Sequence, residues 1–393
     1  MNWFLENTWK ADGMQKFRSL FSRILIGTFT LMSFGCTPAP EGEAKKEGLL
    51  LRDFKPISRL HVPVHNVLKA RFPAIDIHNH INDPRDLFGK HMPVTDIVRV
   101  MEGTNVRMIV ILTGLWGEEL QKVVDEMVTP YPDRFKVFTQ LDWSKVDEAD
   151  FGQQMAAQIR DSVRRGARGL KILKSLGLTV RDKSGKLIPV DDSRLDPVLA
   201  ECGRLGIPVA IHVTDPEAFF YPVGPDNERI GELGDHPEWS FSGPEFPSKE
   251  EIMDARNRVF GKHPNTTFIS LHVGNWPENL DYVSATLDRY PNMVVELGER
   301  QAELGRQPRR ARKFFLEYQD RILFGTDRPP QEAMYHSYFR WLETSDEYFE
   351  YWTWPRQGRW RIFGLDLPDS VLENIYHLNA EKIFRQFKGL PPA

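Results

Sequence analysis

The chain has two cysteines in 393 residues, too few for a disulfide framework, so a small stapled secreted fold is excluded. It lacks a long basic run and carries a net charge of −4, which removes the electrostatic footprint of a nucleic-acid binder. No apolar stretch reaches the roughly 20 residues a membrane-spanning helix needs; the run from Ile24 to Gly35 is a dozen long. Glycine and proline, 28 each, stand at ordinary levels, which excludes collagen-like and low-complexity classes. What is present is a globular composition, 41% hydrophobic and 27% charged, that must build a core.

The apolar run has telling flanks. Lys16, Arg18 and Arg23 precede it, and it ends in Ser33, Phe34, Gly35 and Cys36, the three-part pattern of an export signal. A small residue directly before a cysteine resembles a bacterial lipoprotein cleavage site, which makes Cys36 the expected lipidation site and mature N-terminus, although Ser33 stands where such signals carry leucine. Met14 suits a basic signal start better than Met1, because Glu6 and Asp12 lie between them. The expected organisation is a signal over 1–35, a tether over 36–60 rich in Pro, Ala, Glu and Lys, and one domain over 61–393. Such a protein is exported, periplasmic or at the cell surface, and held to a membrane by Cys36.

From Pro73 onward short β-branched runs alternate with helical stretches, the pattern of βα units around a parallel sheet. The expected strands are 73–80, 107–112, 135–143, 169–174, 208–213, 266–273, 292–297 and 321–327. Eight such units close into a (β/α)8 TIM barrel, so the fold class is α/β and the domain single. Cys202 falls in an expected helix, 197–205, as a small core residue. Two connections exceed a bare helix. Residues 214–247 are rich in Pro, Gly and aromatics and end in a capping-box start at Ser248 and Glu251, which suggests an ordered active-site loop. Residues 335–363 are dense in Tyr, Phe and Trp, expected mainly to pack outer helices.

The chemistry is expected at the carboxyl ends of the strands, where barrel enzymes carry their catalytic groups. Asp76, His78 and His80 end the first strand, with the two histidines at i and i+2, able to converge on one metal ion. His212 closes the fifth strand, His272 the sixth and Asp327 the eighth. With these residues, and a terminal helix carrying Asn379 and Ala380, the sequence from about Ala70 to Phe384 resembles the amidohydrolase superfamily. The similarity is to its amidohydrolase-related family 2 branch, which includes aminocarboxymuconate-semialdehyde decarboxylase. The resemblance implies that His78, His80, His212 and Asp327 ligate one divalent metal, Zn²⁺ by expectation, with His272 an unligated acid/base and Asp327 sharing proton transfer. Three neutral imidazoles and one carboxylate leave the ion positive, with room for a water whose pKa falls to about 7.

The same resemblance sets the alternatives. The first reading is a metal-dependent hydrolase cleaving a C–O or C–N bond of a small organic molecule. The second is a non-oxidative decarboxylase of an aromatic or unsaturated acid, and the third a binding lipoprotein without catalysis. Lys171 and Lys174 sit on the fourth strand, where some binuclear relatives bridge two metals through a carboxylated lysine; here Lys171 is expected instead to pair with Glu296 or Glu299. Arg300, Arg328 and Trp276 are candidate substrate contacts, and His236 is the one other histidine of interest. Some relatives complete their sites across a dimer interface, so a homodimer stays open.

Overall fold

The computed structural model describes residues 48–50, 53–83, 85, 91–352 and 357–389. The expected signal segment and Cys36 lie outside the described residues. The chain divides into two units, 1–56 and 57–393. Of the first, the described residues form a turn and irregular backbone without strands.

Eight parallel strands follow one another: β1 (Ala74–Asn79), β2 (Val106–Ile111), β3 (Phe135–Val137), β4 (Leu170–Ile172), β5 (Val209–Ile211), β6 (Phe268–Ser270), β7 (Met293–Glu296) and β8 (Ile322–Leu323). All eight expected strands are present, seven of them shorter and β2 of the expected length but one residue earlier. Ladders join β1 to β3 and β4 to β8 in sequence order. Backbone bonds complete the ring at both seams. Between β3 and β4, Thr139 N–H donates to Gly169 (2.9 Å) and Lys171 N–H donates to Thr139 (2.8 Å); between β8 and β1, Ile77 N–H donates to Phe324 (3.1 Å) and Asp327 N–H to His78 (2.7 Å).

The apolar pattern explains the closure. Along β2, Ile109 and Ile111 belong to the large cluster shared with surrounding helices, while Val110 and Leu112 belong to a small one. That alternation is the period of a strand. The small cluster draws Ile75, Ala210, Ile269, Val294 and Leu323 from strands around the whole ring, and such residues meet only in its interior. Cys202 is fully buried in the helix Asp196–Leu205, and burial pushes its thiol well up. The helix Lys249–Lys262 starts with the expected Ser248/Glu251 capping box. In the aromatic segment, Tyr335, Tyr338, Phe339 and Trp341 pack into the core. Among the described residues no helix is long and apolar enough to cross a membrane.

Candidate metal centre and active-site cavity

At the carboxyl end of the barrel His78 and His80 rise from β1, whose pairing with β2 is irregular between Asp76 and Asn79, a break in register that re-aims side chains. Asp327 follows β8. His78 Nε2 and His80 Nε2 lie 3.2 Å apart, and Asp327 Oδ1 sits 3.1 Å from the first and 2.9 Å from the second. Donors about 2.1 Å from a common tetrahedral ion lie about 3.4 Å apart, so these three atoms suit one divalent cation.

Their supports agree. Glu296 at the end of β7 takes the His78 Nδ1–H at 2.9 Å, which leaves Nε2 free to ligate. The same carboxylate accepts from His272 N–H (2.7 Å) and Gly298 N–H (2.6 Å). Burial pushes Glu296 up, but the adjacent His78 and these backbone donors hold it below the ordinary glutamate value. Buried Asp76 receives Thr326 Oγ1 (2.7 Å) and Tyr335 Oη (2.9 Å), tying β1 to β8; burial raises its pKa to about 6. Lys171 Nζ stands 3.5 Å from His78 Nε2, fully buried, and burial lowers it to about 8.

Two site residues occupy strained backbone. His272 and Asp327 have φ of 55° and 58°, and Val273, which is β-branched, has 54°. Such positions cost on the order of 1–3 kcal/mol each and persist where surroundings over-determine them. Here buried Lys249 donates to Thr214 Oγ1 (2.8 Å), Asp215 O (2.6 Å) and Asn275 O (2.8 Å), and buried Arg256 donates to Gly274 O (2.5 Å). The result aims His272 inward. Its Nδ1–H donates to Gly298 O at 2.8 Å, so Nε2 carries the lone pair, 3.7 Å from Asp327 Oδ2.

His212 stands apart from the ligand triad. Its Nδ1 is 3.3 Å from His272 Nε2, and its Nε2 faces Thr214 O (3.1 Å) and Asp215 Oδ1 (3.4 Å). The groups of metal-capable donors among the described residues are His78, His80 and Asp327, and His78, His272 and Glu296. Three of the four expected ligands are therefore gathered, with His212 beside them on the cavity wall.

The cavity is about 580 Å³ and is lined by His80, His212, His272 and Asp327 with Lys171, Lys174, Arg300 and Arg328. Phe219 and Trp239 of the long loop after β5 also line it, as expected for that loop. Trp276 does not: its Nε1–H donates to Glu217 (3.0 Å), and its ring packs on Tyr282 behind the wall. His236 stacks on Trp239, with ring centroids 4.1 Å apart. Lys171 pairs with neither expected partner, since Glu296 serves His78 and Glu299 holds Arg328. Glu296 as the histidine's anchor was within reach of the strand-end rule. Asp215, whose carboxyl is held well below the usual range by Lys174 and His212 against the effect of burial, had no sequence signal beyond lying three residues after His212.

The amidohydrolase family model matches residues 75–386. Solved structures with the same fold include 2,6-dihydroxybenzoate decarboxylase from Rhizobium, 16% identical, covering 80% of this chain and 99% of its own, at a TM-score of 0.51. Another is a dihydroxybenzoic acid decarboxylase from Polaromonas sp. JS666 with bound manganese and 2-nitroresorcinol, 14% identical, covering 80% and 97%, also at 0.51. An uncharacterised TIM-barrel protein from Bordetella bronchiseptica is 20% identical over 80% of this chain and 98% of its own, at 0.46. No curated protein matches the sequence.

Proposed function

The chain belongs to the amidohydrolase family, and from that premise we propose that it is a metal-dependent hydrolase of a C–O or C–N bond in a small organic acid. One observation carries the reading: three metal-capable donor atoms within 3.2 Å of one another, beside a histidine whose Nε2 lone pair faces the same cavity. His78, His80 and Asp327 would hold the ion; His212, the fourth ligand that the resemblance implies, stands outside that group, with its Nδ1 3.3 Å from His272 Nε2. A divalent cation there, zinc or manganese, would supply Lewis acidity toward a carbonyl and would lower the pKa of water. His272, fixed by Gly298 with Nε2 unprotonated, accepts a proton from attacking water and returns it to the leaving group. Glu296 keeps His78 in its ligating tautomer.

Decarboxylation is the second reading. It is favoured by the basic side chains on the cavity wall and by the two dihydroxybenzoate decarboxylases that share the fold. Turnover of an ester, lactone, amide and carboxylate panel in ¹⁸O-water separates the two. Hydrolysis places one labelled oxygen in the organic product and releases no CO₂, whereas decarboxylation releases one CO₂ and adds no solvent oxygen to the organic product. Metal-loaded protein that turns over nothing in the panel would leave only a binding role. Export and anchoring through Cys36 complete the proposal; a membrane-fraction protein whose first residue is not an acylated Cys36 would refute that part.

A further inference from the structure

The cavity wall holds five cationic side chains, Lys171, Lys174, Arg229, Arg300 and Arg328, against four carboxylates, Asp215, Glu232, Glu299 and Asp327. The carboxylates are unevenly assigned. Glu299 clamps Arg328 through both oxygens, Glu232 and Glu303 hold Arg229, and Asp215 holds Lys174. Arg300 has none. Among the described residues the one hydrogen bond of its side chain runs from Nη1 to the Glu299 carbonyl at 2.7 Å, while its Nε is buried and unpartnered. The residue is only 5% exposed. A guanidinium has five N–H donors, and a buried one with no carboxylate in contact is costly to keep.

We propose that Arg300 is the substrate's anion receptor, and that the substrate is a small organic monocarboxylate whose carboxylate docks on it beside His272. The proposal rests on the cavity being the substrate site, whichever bond is broken there. The planar fork matches a carboxylate bidentately. Arg300 and Lys171 are the cations of the lining with no carboxylate in ion-pair contact among the described residues, and of the two only Arg300 presents a planar fork of donors, the geometry that a single carboxylate matches. Arg328, the other candidate from sequence, is already satisfied by Glu299 and serves the wall.

The test is calorimetric titration of the full chain, as purified, with benzoate, phenylacetate, acetate, benzamide and inorganic phosphate, repeated on Arg300→Gln and Arg300→Lys. At least one carboxylate should bind, benzamide should not, Arg300→Gln should weaken the carboxylate by about tenfold or more, and Arg300→Lys should weaken it less. Thermal melts without ligand add a second readout: loss of an unpaired buried cation leaves Tm unchanged or raises it, whereas loss of a structural arginine lowers it. No carboxylate binding, equal binding of benzamide, tighter binding of phosphate, or unchanged affinity in Arg300→Gln would each overturn the proposal. Carboxylate binding that survives in protein unable to take up metal would leave Arg300 its role while removing the metal-hydrolase reading.

Discussion

Replacing Glu296 by glutamine changes little in volume but reverses part of the hydrogen bonding that supports the metal ligands. Every group facing this carboxylate is a donor: His78 Nδ1–H and His272 N–H on Oε1, and Gly298 N–H on Oε2. A carboxamide presents oxygen on one side only. In its better orientation the oxygen keeps His78 and His272, and the new NH₂ meets the Gly298 N–H head-on. At least one buried charge-assisted bond is lost, worth about 1.5–3 kcal/mol, and the two that remain lose their charge. Loss of such an outer partner of a metal-binding histidine typically costs about 10–100-fold in metal affinity, or about 1.4–2.7 kcal/mol. Competition with a chromophoric chelator measures the affinity, and urea unfolding of the metal-free protein measures the stability. Glu296→Gln with wild-type metal affinity and an unchanged urea midpoint would refute the argument that Glu296 organises both histidines.

Asp327→Ala should lose bound metal together with activity, whereas His272→Ala should lose activity and keep its metal, as elemental analysis beside a turnover assay would show. Gly325→Ala puts a Cβ 2.5 Å from Glu296 Oε2 and 3.0 Å from His78 Cβ, so metal affinity should fall although the substituted residue ligates nothing. Burial lowers Lys249 to about 8, below its unfolded value near 10.5, so the unfolded state binds more protons between those pH values and stability should rise with pH there. In the difference between wild type and Lys249→Met, read from urea midpoints at pH 7 to 10, that rise should appear as a slope; a flat difference would mean Lys249 stays charged on its three oxygen acceptors.

Much of this architecture was legible because barrel strands announce themselves as short apolar runs with a polar residue at the carboxyl end. His78, His272, Glu296 and Asp327 all obey that rule. Strand lengths were overestimated where the backbone departs from the ladder for tertiary reasons. Beyond Val137 only an isolated bridge from Thr139 to Leu170 continues the third strand, and the eighth ends at Leu323 before Asp327 turns left-handed. The division of labour among arginines was not legible. Arg328 and Arg300 look equivalent in sequence, and only the proximity of Glu299 to one of them sets them apart. Trp276 was likewise ambiguous, since its partner Glu217 lies 59 residues away.

His78, His80 and Asp327 should together hold one divalent metal ion. Elemental mass spectrometry of the protein purified without added metal or chelator tests it most directly. About one divalent ion per chain, zinc or manganese, is the expected result. Protein that carries no metal, and takes up none when Zn²⁺ or Mn²⁺ is supplied, would contradict it.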